Sequence, residues 1–112
     1  MLHEEAKKIF INKFESFGNE KFYEFLLNYA KNKMTANEDI KNKNPKAEPV
    51  GTSPEIELLD YYSKFLILYR RENIETYLNI AKVFRKAAQK VYNILLKKQI
   101  IEKSSKFLNL VD

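Results

Sequence analysis

Four of the five helix- and strand-breaking residues in this chain of 112 residues fall within ten consecutive positions: Pro45, Pro49, Gly51 and Pro54. Only Gly18 lies elsewhere. Regular structure can therefore run almost uninterrupted on both sides of one broken stretch, and the periodicity of the apolar residues decides its type.

From the N-terminus, Leu2, Ala6, Ile9, Phe10, Phe14 and Phe17 recur at steps of three and four. That spacing predicts a helix over 2–17. Gly18 tolerates the left-handed position that ends a helix, and Asn19 suits the start of the next. Over 20–33, Phe22, Phe25, Leu26 and Tyr29 make one stripe, and Tyr23, Leu27 and Ala30 widen it beyond what a helix lying on solvent needs. The N-terminal pair, 2–34, thus has apolar surface for two neighbours.

Residues 35–53, TANEDIKNKNPKAEPVGTS, offer only Ile40 and Val50 as large apolar groups among Asn, Lys, Pro and Gly. They read as a mobile connector. Ser53-Pro54-Glu55 is the clearest start signal. Ser is a capping residue, Pro at the first helical position has a suitable φ and no amide to satisfy, and Glu55 and Glu57 oppose the positive end of the dipole. The helix that follows carries the run FLILY at 65–69, which alone would also suit a buried strand. The cap and some sixteen residues of periodic pattern favour helix.

Arg70-Arg71-Glu72-Asn73 predicts a turn, with cations closing one helix and Asn capping the next. A single rod over 54–99 would be about 70 Å long at 1.5 Å per residue and could scarcely bury its apolar face in one molecule. The helix expected from Ile74 to about Lys98 has a seam of Tyr77, Ala81, Phe84, Ala88, Val91 and Leu95, steps of four and three in heptad rhythm. Segment 100–112, QIIEK-SS-KFLNLVD from Gln99, reads as a short helix or a hairpin. The helix is favoured because Ser-Ser lacks the positive-φ residues of a tight hairpin turn. The fold class expected is all-α: a single domain over 1–112, a bundle of about four main helices whose last two form a hairpin over 54–99, plus a short terminal element.

Function is constrained first by absences. The sequence has no Cys and one His, His3, placed in what reads as a frayed first turn. Thiol nucleophiles, thiolate zinc sites and disulfides are excluded, and the usual general base is missing. The carboxylates of Glu4, Glu5, Glu55, Glu57 and Asp60 lie in first turns, where dipole compensation explains them. Gly18 and Gly51 stand alone, so no phosphate-cradling loop is present. No enzyme, cofactor or metal is expected. Without a signal peptide or a run of 18 apolar residues, the chain reads as cytoplasmic with no membrane partner.

Charge is the positive signal. Residues 70–106 hold ten cations against three acids, a balance of +7, whereas the remainder holds ten against twelve. Between Glu75 and Glu102 six cations meet no carboxylate. At 100° per residue Lys82, Arg85, Lys86, Lys90 and Lys97 fall within an arc of about 140° opposite the seam and span about 22 Å, a reach of six or seven phosphates. Arg70 and Arg71 extend the candidate nucleic-acid-binding set. Phe84 and Tyr92 point into the seam, so the stripe offers no ring for base stacking and suits backbone tracking. The competing and preferred expectation is a non-catalytic protein-interaction module, a homo-oligomer or a small subunit of an assembly. Its motive is the surplus of apolar surface at Phe22, Tyr23, Tyr61 and Tyr62.

Overall fold

The computed structural model describes residues 3–44, 46 and 53–98. Three helices account for nearly all of them: α1 (Glu4–Lys43), α2 (Pro54–Glu72) and α3 (Glu75–Lys97), with no strand among the described residues. The all-α class holds, with three helices where the periodicity suggested about four. The expected break at Gly18 is present: its φ of 78° and ψ of 178° are non-helical, and the two helical limbs that meet there are counted together as one element, α1. In a straight helix Lys13 and Phe25 would lie about 18 Å apart along the axis. Here the Lys13 ammonium lies 4.7 Å from the Phe25 ring centre, and the Phe14 and Phe22 rings are 5.7 Å apart, so the first limb folds back over the second.

The expected connector over 35–53 is corrected in its first half, where α1 stays helical to Lys43, while positions 45 and 47–52 lie outside the described residues. Met34, Asn37 and Ile40 are half-buried at helical spacing, so packing sustains a stretch whose composition looked like loop. Polarity does not stop the helix. Asn44 stands before Pro45, whose ring disfavours the α region for its predecessor, and Asn44 turns to φ −146°, ψ 98°. His3 is a cap rather than a frayed residue, its Nδ1 accepting the Glu5 amide at 3.2 Å.

α2 begins at Pro54 as expected, but the Ser53 hydroxyl caps no amide. It donates to Glu55 Oε2 at 2.8 Å, while Glu55 is 2% exposed and its Oε1 has no partner. The turn is a hairpin rather than a rod. Asn73 takes the left-handed conformation, φ 54° and ψ 37°, as the C-cap of α2, its amide donating to Tyr69 O at 2.7 Å, and extended Ile74, not Asn73, precedes α3. Segment 100–112 lies outside the described residues.

α3 is the centre of the molecule. It packs most extensively on α2 and next on α1, while α1 and α2 touch least. All six seam residues are buried, and so are Ile80, Val83, Ala87 and Tyr92. Phe84 lies at the heart of the core, with the Phe10, Tyr61, Phe22 and Phe65 rings at 5.1, 5.4, 5.7 and 5.7 Å. Ala81, Ala87 and Ala88 are wholly buried, and their small size lets the neighbouring helices come close. FLILY is helical, with Phe65 in the core and Ile67 outside.

Candidate functional site

Burying a half-circumference of α3 leaves the other half to solvent. Lys82, Arg85, Lys86, Lys90 and Lys97 are all exposed on it, with Gln89 and Asn93 among them, the Gln89 amide donating to Asn93 at 3.2 Å. No carboxylate lies within ion-pair distance of Lys82, Lys86, Lys90 or Lys97 among the described residues. The ion pairs lie elsewhere: Lys33 with Glu57 at 2.7 Å, Lys64 with Asp60 at 2.8 Å, and Lys98 with Glu38 at 3.9 Å. The last joins two exposed side chains and holds little energy. Arg70 and Arg71 are exposed too, but in the last turn of α2 at the closed end of the hairpin, about 10 Å along the axis before Lys82.

α1 supplies the wall beside this face. Its second limb runs parallel to α3, because Tyr23 meets Lys86 near one end and Glu38 meets Lys98 near the other. Between the two helices lies a half-open cleft of about 220 Å³, lined by Asn19, Glu20 and Tyr23 from α1 and by Asn79, Lys82, Val83 and Lys86 from α3. The Lys86 ammonium sits 4.7 Å over the Tyr23 ring. Glu20 shares the cleft without pairing with either lysine at ion-pair distance. The sequence alone missed this aromatic neighbour of the stripe, since nothing in the spacing shows that residue 23 meets residue 86.

The four aromatic residues expected at a protein interface separate. Phe22 is fully buried among Phe10, Phe14, Phe25 and Phe84 and has no surface to offer a partner. Tyr61 is half-buried, its ring 4.9 Å from Phe10. Tyr62 and Tyr23 are half-buried as well. Among the described residues, the large apolar groups that do reach solvent, Ile9, Phe17, Tyr29, Ile56, Ile67 and Ile74, are spread over α1, α2 and the turn, with none on α3.

A second cavity, about 190 Å³ and mostly apolar, opens between α1 and α2 beside Phe10, Phe25, Leu58 and Tyr61. A polar clamp closes its rim: the Tyr29 hydroxyl donates to Glu57 Oε1 at 2.6 Å and Lys33 to Oε2 at 2.7 Å. Partial burial, and then the bond to the Glu57 carboxylate, push the Tyr29 phenol up to about 12. No group of three or more His, Asp and Glu side chains is placed to hold a metal ion among the described residues, and no helix there is long and apolar enough to cross a membrane.

No protein-family model matches this chain, and no curated protein or solved structure is detectably similar to it.

Proposed function

We propose that this protein is a non-catalytic binder of nucleic acid that holds the phosphate backbone on the exposed face of α3. One observation carries the proposal: Lys82, Lys86, Lys90 and Lys97 stand in solvent on one side of a helix without carboxylate partners among the described residues, and Arg85 shares that side. A solvated helix face ordinarily mixes signs, because acids and bases four residues apart support each other. A row rich in cations raises local positive potential and draws polyanions at a rate set by ionic strength. α3 is held by neighbours along its whole inner side, so the row is presented on a rigid support.

The test is binding of a labelled duplex by fluorescence anisotropy across a salt series. If all five cations neutralise phosphates, log K against log salt has a slope of about −4 to −5. Lys86→Glu with Lys90→Glu lowers affinity at least about tenfold at low salt. Undetectable binding of both this duplex and a single strand of the same length at about 50 mM salt, or a double variant that binds as well as the parent, overturns the proposal.

Protein association is the second reading. Its support is the apolar cavity between α1 and α2 together with the exposed Ile56 and Ile67 on α2. Part of the apolar surplus that motivated it, Phe22 above all, is taken up by the internal core, and Tyr23, Tyr61 and Tyr62 are half-buried. A concentration-dependent shift in sedimentation velocity at low micromolar protein would restore it to first place.

A further inference from the structure

We infer that the cleft between α1 and α3 seats an unpaired nucleobase, so that the nucleic acid held by the basic face is single-stranded. The inference rests on the proposed function and adds to it the class of ligand. The basic stripe alone offers nothing for a base to stack on, since Phe84 and Tyr92 face the core. Tyr23, brought in from α1, is a half-buried ring that lines the cleft with Lys82 and Lys86, and Asn19 and Asn79 are part of the same lining. An aromatic face beside a cationic track is the pattern by which proteins hold single strands, stacking supplying what a duplex would withhold. Bases in a duplex are stacked on each other and cannot enter a side cleft without being extruded. At about 220 Å³ the cleft is smaller than the usual site for a drug-sized ligand and suits one ring system.

Lys86 covers one face of the Tyr23 ring at present. An exposed cation–π contact is weaker than base–aromatic stacking, so an arriving nucleotide exchanges favourably with it. The ring face passes to the base while the freed ammonium passes to the adjacent phosphate. Glu20, on the α1 side of the cleft, repels phosphate and so confines the backbone to the α3 side, along Lys86, Lys90 and Lys97.

The experiment compares three labelled probes by fluorescence anisotropy on the full chain: a mixed-sequence 12-nucleotide strand, its duplex, and a 12-nucleotide abasic strand. The intact strand binds the parent protein more tightly than the other two. Tyr23→Leu, which keeps an apolar side chain and loses the ring, weakens the intact strand about tenfold or more and leaves duplex and abasic binding unchanged, while Tyr23→Phe retains parent affinity. Circular dichroism melts confirm that both variants remain folded. Equal affinity for all three probes, or a Tyr23→Leu protein indistinguishable from the parent on the intact strand, overturns the inference and leaves backbone binding standing. Failure of every probe to bind overturns the proposed function with it.

Discussion

α3 and α1 reach the same core by opposite means. Along α3, every third or fourth side chain is apolar and nearly every such residue is buried, so the pattern itself tells the helix which side to pack. α1 has no such contrast along its length. Lys13, Lys33 and Asn37 are half-buried while Ile9 and Phe17 are exposed. Its placement depends on one backbone event, the bend at Gly18, which brings Phe10 and Phe14 against Phe22 and Phe84. Patterning spreads the instruction to fold over many residues; a bend concentrates it in one.

The contrast can be broken most forcibly at the residue both helices share. Phe84→Ala removes a fully buried ring that touches side chains from α1 and α2, and should destabilise the protein by about 3–5 kcal/mol in denaturant unfolding. A loss below about 1 kcal/mol would mean that the core collapses to fill the gap and that Phe84 does not organise it. Next in size is Gly18→Ala. A Cβ there meets no atom within 4 Å, so any cost is purely one of backbone conformation. The φ and ψ of Gly18 lie in a region that L residues essentially never occupy, and the expected loss is about 1–3 kcal/mol. An unchanged melting profile would show that α1 can bend elsewhere.

The smallest effect sharpens the comparison, because it tests the polar clamp by which α1 meets α2. Tyr29 ionises near 12 in the folded protein against an ordinary 10, so its contribution to stability is complete below pH 10 and is lost as pH rises from 10 toward 12. The group is 42% exposed, which screens the clamp and holds the effect below about 1 kcal/mol. Unfolding of the parent and of Tyr29→Phe, compared at each pH, should converge across that window. A constant difference would place the phenol's titration outside it.

The same contrast explains what could be read without coordinates. The seam of α3 was legible because Tyr77, Ala81, Phe84, Ala88, Val91 and Leu95 keep heptad register, and the exposed cations follow once that side is turned inward. Pro54 announced α2, and the polar run before Ile74 announced the turn, although Asn73 closes α2 instead of opening α3. Residues 35–43 were misread because local propensity there is poor and the support comes from packing through Met34 and from the half-burial of Asn37 and Ile40, which no local window contains. The stripe itself was visible; its partner Tyr23 was not, because a contact between residues 23 and 86 is a product of the fold. Phe22 and Tyr23 illustrate the limit. Both are apolar neighbours in sequence, yet one is sealed in the core and the other lines the cleft.

Gly18 also bears on how this protein can vary in evolution. Every amino acid reachable from a glycine codon by one nucleotide change carries a Cβ, so no amino-acid-changing point substitution at this position is conformationally silent. Drift is free to retune the outer face of α3 one charge at a time, whereas the elbow of α1 admits no gradual alternative and would have to be exchanged for a different architecture at that end of the molecule.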